Sequence, residues 1–208
     1  MDLVAELPPT VKIYGMDIES SRFPATYPQN VSFSIGSVLS LPKEWAGKFD
    51  FVHQRLLMGG LKREDWPVAI GEIFQALKPG GWAQLGEYGF WGHGTSPATD
   101  VMFTIYSRLF KRNGLVLRVF AELPDLMREA GFRNVQAERG YYRVGGEKGK
   151  AGLENLVNHF QSMKPQILKL GMLQSEEEID AAIAAMKKEL EQLEDVQAEV
   201  VYVWAQKL

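Results

Sequence analysis

Hydrophobic and polar positions follow two rhythms along this chain. Val31-Ser32-Phe33-Ser34-Ile35 alternates apolar and small polar residues with the two-residue period of a strand. Val11 to Ile18, Phe49 to His53 and Trp82 to Tyr88 are further short β-rich runs. Between the last two the period lengthens. Ile70, Ile73, Phe74 and Leu77 recur at the spacing of one helix face, behind Asp65-Trp66-Pro67, where Asp65 can cap and Pro67 sits in the first turn. Lys78-Pro79-Gly80-Gly81 supplies the residues that stop a helix.

The second half is more helical. Val101, Ile105, Leu109 and Phe110 predict a helix between Pro97 and Leu117, and a shorter one runs from Leu123 to Ala130, closed by Gly131. Val135 to Val144 reads as a strand. Gly145 to Gly152, glycine-rich and charged, reads as a mobile linker. Two helical stretches follow, roughly 152 to 170 and 175 to 194. The second carries Ile179, Ile183, Met186, Leu190 and Leu193 on one face, and Val200 to Ala205 is a closing strand. Strands alternating with helices predict an α/β fold with a largely parallel sheet. Such sheets bind ligands outside the carboxyl ends of their strands. The positions to weigh are therefore Asp17, Gly36-Ser37-Val38, His53-Gln54-Arg55 and Glu87-Tyr88.

Composition narrows the function classes. A chain of 208 residues with 46% hydrophobic residues suits one soluble domain with a core of its own. It has no cysteine, which excludes a disulfide scaffold, a thiolate zinc site and a thiol nucleophile. A formal net charge of -3 argues against a nucleic-acid-binding face. No apolar run approaches the roughly 20 residues of a membrane helix. Met1-Asp2-Leu3-Val4-Ala5-Glu6 lacks the basic start of a signal peptide, so an intracellular location and a small-molecule partner are expected.

Four motifs then occur in a telling order: Gly15-Met16-Asp17-Ile18, Gly36 in a strand-end turn, Phe49-Asp50-Phe51-Val52-His53-Gln54-Arg55, and Leu77-Lys78-Pro79-Gly80-Gly81-Trp82. This set resembles the class I S-adenosylmethionine-dependent methyltransferases, and more narrowly the fungal LaeA-like branch of secondary metabolism. The resemblance covers nearly the whole chain. It implies a Rossmann-like core over 1–95, a lid helix over 96–121, a core helix and strand six over 122–149, a helical lid over 150–197 and a terminal core strand over 198–208. The implied sheet order is 3-2-1-4-5-7-6, with strand seven antiparallel.

Strand one of that family, with its glycine-rich loop, has no counterpart. Gly92-His93-Gly94 has part of the spacing but follows strand five and lacks the third glycine. Removing the central strand leaves a gap of about 10 Å, two inter-strand spacings. Strands two and four could pair directly, a second chain could donate a strand, or the sequence is part of a longer enzyme. Unpaired backbone groups make a rearranged or strand-swapped sheet the expectation, with a homodimer or strand-donating partner.

The resemblance also distributes roles. Asp17 matches the acid that accepts from the cofactor ribose, a task for which a carboxylate's two oxygens are suited. Ile18 matches the apolar residue beside the adenine, and Ser37 and Val38 follow at the next strand end. Among the histidines, His53 is the first candidate base, His93 the second, and His159 lies on the lid. A neutral imidazole suits deprotonation of a substrate near pH 7. Glu87 could orient a histidine or accept a proton, or cap backbone groups. Arg55, Trp91, Tyr106, His159, Phe160 and Met163 are the candidate substrate contacts, with Phe90 and Phe103 adding apolar lining for an aromatic or polyketide-like substrate. No His-x-x-x-His spacing supports a metal site. Three activities stay open: methyl transfer with S-adenosylmethionine, cofactor-independent cyclisation, isomerisation or elimination by pocket histidines, and a non-catalytic binding or regulatory subunit.

Overall fold

Two separate sheets, not one, organise the chain. The computed structural model describes residues 6–91 and 95–208, leaving aside the side chains of Arg22, Phe90 and Trp91. β1 (Ile13–Asp17) and β2 (Val31–Ile35) pair in parallel, from Ile13 opposite Val31 to Asp17 opposite Ile35. β3 (Phe49–Arg55), β4 (Leu77–Trp91), β5 (Arg133–Arg143) and β6 (Gln197–Gln206) form a sheet in the order β3-β4-β6-β5. β3 and β4 are parallel, and β6 is antiparallel to both β4 and β5.

β1 and β3 share no ladder, so of the alternatives the sequence leaves, direct pairing of these two strands is not adopted and the gap persists. Side chains join the two sheets instead. Tyr14 meets Trp45 and Phe49 edge-on, with ring centroids 6.1 and 5.5 Å apart, and the Lys48 ammonium lies 4.0 Å from the Tyr14 ring centre. The parted edges border a cleft of about 470 Å³. That space admits water, which removes the pressure on the backbone to pair across it.

The larger sheet buries one face. Ala83 and Leu85 lie opposite Ala205 and Val203, and all four are fully buried. Helices α1 (Asp65–Ala76) and α3 (Val119–Glu129) cover them with Ile70, Ile73, Leu123 and Met127. The alternate residues Trp82, Gln84 and Trp204 border an open groove with Phe51, which is 55% exposed. Asp65 does not cap α1 from outside; its carboxylate accepts the Lys62 N–H at 2.9 Å and fixes the entering turn. At the other end Lys207 donates to the Phe74 and Leu77 carbonyls, both at 2.8 Å, and Gly80 takes a φ of 84° in the turn beyond.

Trp66 is 1% exposed, and its indole N–H has no partner among the described residues. An unpaired buried donor costs about 1–3 kcal/mol, comparable to the packing lost with a smaller ring. Trp66→Phe should therefore shift stability by less than about 1 kcal/mol, whereas Trp66→Ala should cost about 3–5 kcal/mol. Urea denaturation of the two variants checks this contrast.

α2 (Pro97–Arg112), α4 (Lys150–Ser162), α5 (Lys164–Leu170) and α6 (Glu176–Gln192) pack on one another as a second layer. Ser96 and Ser175 cap α2 and α6 by accepting the Thr99 and Glu178 N–H groups. Ile179, Ile183, Met186 and Leu190 of α6 are fully buried in this layer. The stretch from Gly145 to Gly152 is no loose linker. Gly145, Gly146 and Gly149 are buried, and the Gly146 N–H donates to the Leu190 carbonyl at 3.0 Å. A β-carbon on Gly149 would stand 2.9 Å from the Val144 carbonyl carbon. These glycines admit close backbone packing, a use that composition alone does not separate from slack. No described helix is long and apolar enough to cross a membrane.

Candidate functional site

The cleft between β1 and β3 gathers six of the sequence candidates: Asp17, Ile18, Ser37, Val38, His53 and Arg55. The strand ends place them. The Asp17 carbonyl accepts the Gly36 N–H at 2.9 Å, which ties the ends of β1 and β2 together. A β-carbon on Gly36 would stand 2.7 Å from the Met16 sulfur, so a larger residue there would make the Met16 side chain move. Asp17 Oδ1 accepts the Glu19 N–H at 3.0 Å, fixing the carboxylate in the turn. Ile18 is 75% exposed beside it. Ser37 Oγ accepts the Leu39 N–H at 3.2 Å. His53 stands across the cleft on β3, where its Nδ1 donates to Gln84 Oε1 at 3.0 Å. Burial lowers its pKa from the usual value, with the Gln84 bond acting in the opposite direction.

A second cavity, of about 260 Å³, opens between the end of β4 and the helical layer. Tyr88, Phe103, Tyr106, Phe120 and Tyr142 form its aromatic wall, and Arg118, Asn155 and His159 add polar groups. Burial raises the pKa of both Tyr106 and Tyr142, and Tyr142 also hydrogen-bonds Tyr88, so these phenols stay protonated at neutral pH. The His159 ring stands edge-on to Tyr106, with centroids 5.6 Å apart. Burial lowers its pKa, which favours the neutral imidazole.

One buried carboxylate separates the two spaces. Glu87 is 0% exposed. Its Oε1 accepts from Gln54 Nε2 at 2.9 Å and from the Leu57 N–H at 2.8 Å, and its Oε2 accepts the Met58 N–H at 3.1 Å. Leu57 borders the cleft and Met58 borders the aromatic cavity. The segment between β3 and α1 turns sharply at Leu56, whose φ is 59°. Desolvation pushes the Glu87 carboxyl up to about 7, against the three hydrogen bonds that favour its charge.

The sequence candidates are thus divided. Tyr106, His159 and Phe103 meet at the aromatic cavity, whereas His53 and Arg55 face the cleft. Glu87 holds backbone and an amide and touches no described histidine among its hydrogen-bond partners. Phe160 is fully buried core and Met163 packs against that core, so neither borders the cavity. His93 lies outside the described residues, as do the side chains of Phe90 and Trp91. Sequence reading singles out Tyr88 only as a strand-end position and misses Phe120 and Tyr142 as wall residues. Adjacent tyrosines at 141 and 142 were a usable signal, since alternation sends one to each face of a strand. Among the described residues, no cluster of three histidines or acids could hold a metal ion.

A parallel two-stranded sheet and a mixed four-stranded sheet, with a cleft at their strand ends and a helical layer over one end, make a Rossmann-like α/β fold. Residues 4–137 match the methyltransferase domain family, and the chain belongs to it. It is 26% identical over its full length to the N-methyltransferase verN of Clonostachys rogersoniana and spans 74% of that protein. It is 30% identical over 93% of its length to the methyltransferase psoC of Aspergillus fumigatus, spanning 73% of it. Among solved structures, phosphoethanolamine N-methyltransferase 2 of Haemonchus contortus, in complex with phosphomonomethylethanolamine and S-adenosylhomocysteine, superposes with a TM-score of 0.56 at 18% identity. That match covers 95% of this chain and 44% of the other. A putative methyltransferase from Bacillus halodurans gives 0.53 at 13% identity, covering 94% and 83%. The fold is that of the class I methyltransferases.

Proposed function

We propose that the chain transfers a methyl group from S-adenosylmethionine to a nitrogen of an aromatic small molecule in natural-product metabolism. The observation that carries this reading is the shared wall: a cleft edged by Asp17, Ser37 and His53 and an aromatic cavity lie on either side of the segment that Glu87 holds. The donor set suits the nucleoside end of the cofactor. Asp17 offers a carboxylate to the ribose hydroxyls, and Ile18 and Val38 offer apolar surface to the base. When bound, the cofactor supplies a methyl group activated on sulfonium sulfur. The aromatic wall orients a planar nucleophile, and the neutral His159 accepts the proton that nitrogen releases. Orientation across the wall supplies most of the acceleration in such a transfer. The nitrogen preference is supported by the printed activity of verN.

Isothermal titration should show S-adenosylhomocysteine binding at or below millimolar concentration. Incubation with aromatic amines and S-adenosylmethionine should give a product heavier by one methylene. No binding at millimolar ligand would sink the reading. Conversion of substrate with the cofactor omitted would establish cofactor-independent acid–base chemistry in its place.

A further inference from the structure

We infer that Gln54 Oε1 is the acceptor for a nitrogen-bound hydrogen of a ligand seated at the wall between the cleft and the aromatic cavity. Gln54 is 9% exposed. Its Nε2 donates to Glu87 Oε1 at 2.9 Å. Above about pH 7 the ionised carboxylate only accepts, so there the amide turns its NH2 group toward Glu87 and its carbonyl away, as observed. With Glu87 ionised, the direction of this glutamine is set by charge.

That orientation leaves Gln54 Oε1 buried without a hydrogen-bond partner among the described residues. Leu57 and Met58 cannot supply one, because both N–H groups are already committed to Glu87. An unsatisfied buried carbonyl is unfavourable, and a ligand donor removes that penalty on binding. Gln54 borders the cleft, and the residues held by the same carboxylate reach the aromatic cavity. The recognised chemistry is an N–H donor carried by the amino-acid end of the cofactor or by an amine of the substrate. The inference rests on the cofactor and substrate reading given above and adds the group that would read nitrogen there.

The test uses isothermal titration of the full chain at pH 8, where Glu87 is ionised. Wild type and Gln54→Met are titrated with S-adenosylhomocysteine and its 2-deamino counterpart, and with tryptamine and 3-ethylindole. Methionine keeps the length and apolar fill of the side chain while removing the carbonyl. The affinity ratio of amine to deaminated probe should fall about tenfold in one pair. A fall in the first pair assigns the bond to the cofactor, and a fall in the second assigns it to the substrate. Glu87→Gln is the second variant. Its new amide can donate to Gln54 once the Gln54 amide turns over, which points Nε2 outward in place of Oε1, so the same loss of amine preference is expected with Gln54 intact.

Ratios unchanged in both pairs, with S-adenosylhomocysteine still bound, overturn the role of Gln54 and leave methyl transfer standing. A response confined to tryptamine, with S-adenosylhomocysteine unbound by wild type, keeps Gln54 and removes methyl transfer. Wild type that binds none of the four probes overturns both.

Discussion

Glu87→Ala should destabilise the fold by about 3–5 kcal/mol and weaken binding in both cavities together. The carboxylate is the partner of the Leu57 and Met58 N–H groups in the turn after β3 and of the Gln54 amide near the end of β3. Removing it strands three donors beside a void. Leu57 and Met58 then lose the anchor that sets the two cavity walls. A purely local packing role would lower thermal stability without moving the affinities of S-adenosylhomocysteine and an indole probe in parallel. Equal affinities in the variant would refute the claim that Glu87 sets the wall.

Glu87→Gln separates the charge from the hydrogen bonds. The folded carboxyl titrates at about 7, raised by desolvation from a usual value of 4.5. The folded state therefore binds the proton more tightly than the unfolded chain. This contribution to stability is complete below about pH 4.5 and is lost as the pH rises to about 7, amounting to roughly 3 kcal/mol. Glu87→Gln should abolish that component. The lowered pKa values of His53 and His159 act in the opposite direction, raising stability as pH rises toward their usual 6.5. They are common to both proteins and cancel in the difference. Tyr106 feels the Glu87 charge but titrates above this window. Urea midpoints of wild type and variant from pH 5 to 8 give the comparison, and parallel curves would contradict it.

Asp17→Ala should weaken S-adenosylhomocysteine binding about 100-fold, the loss of about 2.7 kcal/mol expected when a carboxylate accepting from a diol is removed. Asp17 stands in the cleft at the end of β1, with one oxygen holding the Glu19 N–H. Asp17→Asn keeps a side-chain acceptor for that turn and removes the charge. It should therefore lie between wild type and alanine. If alanine and asparagine bind as tightly as wild type, the ribose assignment fails. If both bind equally poorly, charge outweighs turn geometry.

Much of the fold is legible in the sequence because it depends on local rules. The stripe of Ile70 and Ile73 forms the buried face of α1, and the Val31 to Ile35 alternation forms β2. The four ordered motifs identify the family before any geometry is known. The cofactor-side candidates Asp17, Ile18, Ser37 and Val38 converge because strand ends in a parallel sheet face one edge. The aromatic wall was less legible. Tyr88, Phe120 and Tyr142 come from three separated elements, and each could equally have been core. Whether β1 and β3 pair was not legible either. The choice turns on whether side-chain contacts can replace a ladder, and Tyr14, Phe49 and Lys48 do so here. Glu87 was visible as a strand-end acid, yet its partners depend on the left-handed turn at Leu56, which no periodicity announces.

The parting of the sheets has a thermodynamic consequence for any ligand of the cleft. Across β4 and β6 a ladder unbroken from Trp82 to Tyr88 makes neighbouring strands rise and fall together. Between β1 and β3 no such ladder transmits cooperativity, and the β1–β2 pair is joined to the larger sheet through side chains and the connecting chain. A molecule that bonds Asp17 on one side and Gln54 on the other becomes the missing cross-link. Its binding free energy is then shared with the alignment of the two sheets, so ligand affinity and the local stability of the β1–β2 pair are one linked quantity.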